Sequence, residues 1–170
     1  MAPLRALAFV CLLALASGAA IAADPAEAEI LPGRPDPAAL AAPMAYRFAW
    51  DEYVSLAVVG DTAANGLRRQ AWVVTYDRSG SVVVGYRATA FRDKLGILHI
   101  DARKSAVSGP QHESWSPDSF AITGEGDVHT MDDVPRHPRH RGALTETVAG
   151  DGEAYRTLLR IAMAIVNGIS

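Results

Sequence analysis

Cysteine is nearly missing from this chain: Cys11 is the only one in 170 residues. It lies inside an apolar N-terminal stretch, so a chain cut after that stretch holds no thiol and no disulfide. Lysine is scarce too, because Lys94 and Lys104 are the only two among sixteen basic residues. Arginine in place of lysine, beside abundant alanine, reads as the habit of a GC-rich bacterial genome and not as phosphate recognition. Nucleophile signatures are absent: there is no Gly-x-Ser-x-Gly elbow and no Ser-x-x-Lys. Gly124-x-Gly126 lacks the third glycine and the following helix of a dinucleotide loop. No apolar run after the N-terminal one is long enough to span a bilayer, so no membrane span is expected after signal cleavage. The formal charge of -3 becomes about -4 without Arg5, a mild acidity that gives no reason to expect a nucleic-acid partner.

What is present begins with an address. Arg5 is the only charge before Asp24, an apolar core runs over residues 6–16, and small residues close it through Ala20-Ile21-Ala22. A positive start, an apolar middle and an Ala-x-Ala end make a Sec-type signal peptide over residues 1–22, with cleavage expected after Ala22. The implied location is the bacterial periplasm or the exterior. Phe9 and Val10 before Cys11 are too large for a typical lipoprotein cleavage site. Residues 23–43 carry prolines at 25, 32, 35, 37 and 43 among alanines and acids, which predicts an extended or disordered leader whose Leu31 and Leu40 could dock on the domain.

One domain is expected over residues 44–170. Tyr46, Phe48 and Trp50 alternate along a strand, and residues 53–59 form an apolar run whose valines favour a strand over a buried helix. Residues 70–76 and 81–91 flank the turn Asp77-Arg78-Ser79-Gly80 as a β-hairpin, with Val82, Val84, Tyr86, Ala88 and Ala90 on one face. A third strand over 95–103 sets Leu98 and Ile100 against His99 and Asp101. A smaller hairpin joins 119–123 to 128–131, and residues 132–142 read as a polar loop. Residues 153–167 place Tyr155, Leu158, Leu159, Ala162, Ile165 and Val166 at helical spacing. This order predicts an α+β domain: an antiparallel sheet of about five to six strands packed against a C-terminal amphipathic helix. A small β-barrel capped by that helix is the alternative.

Candidate functional residues fall in three groups. Trp115 sits between two prolines in a loop with His112, Glu113, Asp118 and Phe120 near it. A loop tryptophan is either a plug or a binding anchor, and the second reading makes Trp115, His112, Asp118 and Phe120 a ligand- or partner-binding set. His129, His137 and His140, with Asp132 and Asp133 between them, are candidate metal ligands. Pro138 and the neighbouring Arg136, Arg139 and Arg141 weigh against a cation there, and the same loop could dock an acidic surface instead. His99 reads as a structural histidine hydrogen-bonded to Asp101 or to a cross-strand partner.

These observations favour a noncatalytic exported binding or accessory protein, recognising an unknown protein or small ligand in the cell envelope, without cofactor. A metal-binding protein using the histidine loop is the first alternative. A small cofactor-free hydrolase using His99 and Asp101 or the Trp115 loop is the second.

Overall fold

Apolar residues alternate along most of this chain, and the strands they form close on themselves. The computed structural model describes residues 34–108, 119–131 and 141–168. Its strands follow one another up and down: β1 (Met44–Trp50), β2 (Tyr53–Asn65), β3 (Arg68–Tyr76), β4 (Val82–Arg92), β5 (Leu98–Ser108), β6 (Ser119–Ile122), β7 (Asp127–Met131) and β8 (Arg141–Ala149). Each pairs antiparallel with its neighbours, and β1 also pairs with β8, giving a closed barrel. A helix, α1 (Glu153–Gly168), follows β8.

Tyr46, Phe48, Trp50, Val84, Tyr86, Ala88, Ala90, Leu98 and Ile100 all belong to the buried cluster inside the barrel. The faces read from alternation on β1, β4 and β5 are therefore the interior ones, with one correction: Val82 packs with the outer cluster, past a shift of register between Thr75 and Tyr76. Large and small side chains divide the interior between them. Phe48 and Phe120 meet edge to face at 4.8 Å, while Ala57, Ala71, Ala88 and Ala90 line the wall of β2 to β4.

The second cluster lies outside. Tyr155, Ala162 and Val166 of α1 pack on Ala45, Leu56, Val58, Trp72 and Val74. Alternate residues of β2 and β3 thus face the interior and the helix, so residues 55–60 and 71–75 are buried without a break. This explains why residues 53–59 show no periodicity: a strand covered on both faces reads as a continuous apolar run. Burying a large apolar side chain contributes roughly 1.5–3 kcal/mol, which makes this face the main support of α1.

The barrel with one C-terminal helix corresponds to the second architecture expected from sequence. The leading expectation, a sheet of five to six strands, is corrected to eight strands and closure. The strand that completes the seam is β8, whose burial alternates weakly and whose pairing shifts register between Arg47 and Phe48. It carries few apolar residues because its outer face is exposed, so it left little pattern to read. Gly60, Asp61 and Asn65, residue types that mark loops in sequence, instead continue β2 through register shifts between Val59 and Asn65.

Up-and-down connection sorts the turns between two ends. One end, the hairpin end, holds the β2–β3, β4–β5 and β6–β7 turns and the start of β1. Residues 34–43 lie against it: Pro35 bridges Asp93, Asp36 N–H donates to the Arg92 carbonyl at 2.8 Å, and Ala41 is buried in the interior cluster. Arg69 fixes this segment by donating from Nε to the Ala41 carbonyl at 2.5 Å. Leu40 stays half exposed and does not dock. The opposite end, the loop end, holds the β1–β2 and β3–β4 turns. Segments 109–118 and 132–140, which join β5 to β6 and β7 to β8, lie outside the described residues. No helix among the described residues is long and apolar enough to cross a membrane.

Candidate functional site

The sequence-predicted residues separate in the fold. Phe120 is fully buried inside the barrel between Phe48 and Trp50, with ring centroids 4.8 and 6.0 Å away. His112, Trp115, Asp118, His137 and His140 lie outside the described residues. His129 takes an outer position on β7, in register with Arg141 of β8. Burial first and then the Arg141 charge push its pKa down, against a smaller opposite pull from Asp127. Among the described residues no three His, Cys, Asp or Glu side chains come together to hold a metal.

His99 is on the outer wall and fully buried. Its Nε2 lies 2.8 Å from Oδ2 of Asp93, and its ring stacks on Phe91 at 4.8 Å and 8°. On the other side of Phe91 the Arg68 guanidinium sits 4.2 Å from the ring centroid. Arg68 also donates to Oδ2 of Asp101 at 2.7 Å. Asp101 is therefore the partner of Arg68, and Asp93 is the partner of His99. Sequence reading missed Asp93, although hairpin register offered a signal: Phe91 pairs with His99, so Asp93 lies diagonally across the turn.

Asp93 also builds its own turn. Its Oδ1 accepts the Leu95 and Ile97 N–H groups at 2.9 and 3.0 Å. Burial pushes its pKa up, but the His99 hydrogen bond and these two N–H groups outweigh that and hold it below the ordinary carboxylate value. An ionised Asp93 only accepts, so His99 Nε2 carries the proton. Nδ1 is left buried and, among the described residues, without a hydrogen-bond partner. A histidine with no exposure, stacked on Phe91 and held by Asp93, orients the β4–β5 hairpin.

The loop end offers the more accessible chemistry. Trp50 closes β1 and Tyr53 opens β2, with ring centroids 5.0 Å apart. Between them Asp51 adopts φ 48°, a left-handed conformation that aspartate tolerates better than most residues. Below the turn, Trp50 Nε1 donates to Ser55 Oγ at 2.9 Å, and Ser55 Oγ lies 2.8 Å from Thr75 Oγ1. This buried polar chain locks the tryptophan ring.

Around Tyr53 the rim is acidic. Burial first, then a hydrogen bond to Glu52 and the charges of Glu52, Asp77 and Asp51, raise the Tyr53 pKa. Asp77 is organised by its turn: Oδ1 accepts from Ser79 Oγ at 2.6 Å and from the Ser79 and Ser81 N–H groups at 2.8 and 3.0 Å. The Ser79 hydroxyl is the main cause of its lowered pKa. Glu52, Tyr53, Asp77, Arg78, Ser79 and Val83 together line a shallow groove there. Such a groove has an aromatic floor, carboxylate acceptors and rigid turns, which suits reversible recognition. No family model, curated protein or solved structure matches this chain.

Proposed function

We propose that this is a noncatalytic binding or accessory protein of the bacterial cell envelope, exported by its signal peptide, which recognises a protein or small ligand at the loop end of the barrel. One observation carries the reading. Up-and-down order points the C-terminal ends of β5 and β7, from which the connections 109–118 and 132–140 leave, toward the end that holds the Trp50–Tyr53 pair and the Asp51 and Asp77 turns. Loops on a rigid closed scaffold are where recognition is usually placed. Trp115, His112 and Asp118 belong to the first of these connections, outside the described residues, and the loop-anchor reading of them rests on sequence. The burial of His99 speaks against the hydrolase alternative built on it.

The test is native mass spectrometry of the chain purified from the periplasm of its host, beside Tyr53→Ala and Trp115→Ala variants. Retention of one protein or organic ligand by the parent, lost in both variants, is the expected result. A retained mass of one metal ion, lost on replacing His137 and His140, would move the assignment to the metal-binding alternative.

A further inference from the structure

Beside the Tyr53 groove the outer wall carries an apolar strip. Val54 pairs with Tyr76, and Tyr76 pairs with Val82, so these side chains stand in register across β2, β3 and β4. Val54 is 37% exposed, and Tyr76 and Val82 are partly buried at the margin of the α1 cluster. The last turn of α1 is tied to the middle of β4, where Arg87 Nη2 donates to Asn167 Oδ1 at 2.7 Å. The strip lies at the strand ends next to the rim. The shift of register between Thr75 and Tyr76 leaves Val83 as an extra residue between Val82 and Val84, and Val83 lines the groove. Groove and strip therefore adjoin: Tyr53, Asp77 and Val83 line the first, and their chain neighbours Val54, Tyr76 and Val82 form the second.

We propose that this surface docks a basic segment of a protein partner, with a lysine or arginine side chain in the Tyr53 groove and apolar neighbours on Val54, Tyr76 and Val82. The inference rests on the loop-end reading of function and names the chemistry of the partner. Charge complementarity selects the occupant. The two turns, 51–52 and 77–81, carry three carboxylates, Asp51, Glu52 and Asp77, against one cation, Arg78. Burial, and then the same three carboxylates, raise the pKa of the Tyr53 hydroxyl. Arg47, whose charge reaches Tyr76, is paired with Glu146 at 3.4 Å. An aromatic ring among carboxylates offers an ammonium or guanidinium group both charge-assisted hydrogen bonds and cation–π attraction.

The strip decides between a protein and a free amine. Three strands abreast span two strand spacings, about 10 Å, room for two or three apolar side chains. A small amine would fill the groove and leave the strip uncovered.

The test is an NMR titration of the isotope-enriched exported chain with three probes: a peptide of alternating lysine and leucine, its glutamate–leucine counterpart, and spermidine. The lysine–leucine peptide is expected to shift the amides of Tyr53, Val54, Tyr76, Asp77 and Val82. Its binding should weaken roughly fivefold or more in the double variant Asp51→Asn with Glu52→Gln, and also weaken in Val54→Ser. All three positions are exposed, and asparagine tolerates the left-handed φ of residue 51, so these variants keep the fold. Equal binding of the glutamate–leucine peptide, shifts confined to other surfaces, or no shifts at all overturn the basic segment. Spermidine binding as well as the peptide, with Val54→Ser without effect, overturns it in favour of a small cation. The natural partner separates this inference from the reading it rests on. A partner lost in Tyr53→Ala but kept in the Asp51/Glu52 double variant overturns the basic segment and leaves the loop end as the site. One kept in Tyr53→Ala overturns both.

Discussion

The Tyr155 hydroxyl of α1 donates a 2.7 Å hydrogen bond to the carbonyl of Val59, 96 residues away in sequence. Val59 is the last regularly paired residue of β2 before the register shifts toward Ala63. The helix therefore does more than cover apolar wall: it supplies a donor where the strand ladder becomes irregular. Removing only the hydroxyl, in Tyr155→Phe, leaves the ring packed and the buried carbonyl without this donor. The expected cost is about 1–2 kcal/mol, at about 4 °C of Tm per kcal/mol. Urea and thermal unfolding of the pair measure it, and unchanged stability would show that Tyr155 acts through packing alone.

Inside the barrel, Ser55 accepts from Trp50 and shares a hydrogen bond with Thr75. Ser55→Ala should leave the indole N–H buried without its acceptor, at a cost of about 1–3 kcal/mol. Thr75→Val keeps that acceptor and should cost less, about 1 kcal/mol. The order of the two losses in chemical denaturation tests whether Ser55 is the hub of this chain, and equal losses would contradict it.

The contrast between β4 and β8 shows which parts of the fold were legible in the sequence. Val84, Tyr86, Ala88 and Ala90 share the interior face that the sequence reading gave them, whereas Val82, read onto the same face, packs with the cluster beneath α1 because the β3–β4 register shifts beside it. Residues 141–149 present an exposed outer face, Leu144 as the partly buried interior apolar residue, and a register shift, so no clear period survives. Closure itself is a pairing between β1 and β8, distant in sequence, and neither strand encodes it locally. The site followed the same logic. His99 was seen, but its partner lay across a hairpin whose register decides between Asp93 and Asp101. Tyr53 and Asp77 were legible only as strand and turn residues, because their shared groove arises from the barrel bringing two turns to one end.

Asp93 gives a pH prediction with a definite sign. Its pKa is lowered in the folded chain, so folding favours the ionised form. That contribution is complete above the unfolded value, about pH 4, and is lost as pH falls through the lower folded value. Asp93→Asn keeps an acceptor oxygen but removes the charge. The variant should be less stable than the parent at pH 7, by about 1–3 kcal/mol, and the gap should narrow steadily below about pH 4. Urea unfolding at several pH values checks it. A gap that widens on acidification would mean that the carboxyl is held in its protonated form.

Gly142 closes the seam, and its size rather than its flexibility is what counts. It pairs with Trp50 on β1 and Val128 on β7. A methyl group there would overlap the Ala49 carbonyl and lie 2.8 Å from the Trp50 Cβ. Both neighbours are held within strands and have little freedom to yield, so Gly142→Ala should push β1 and β8 apart. Overpacking of this kind costs about 1–3 kcal/mol and sometimes more. Gly124 provides the control: a methyl group added there would meet no described atom within 4 Å, and its φ is not positive, so Gly124→Ala should be close to neutral. Amide exchange distinguishes seam opening from general loss of stability. In Gly142→Ala the β1 and β8 amides should lose protection before those of β3 and β4, whereas uniform loss would mean that the barrel opens only as a whole.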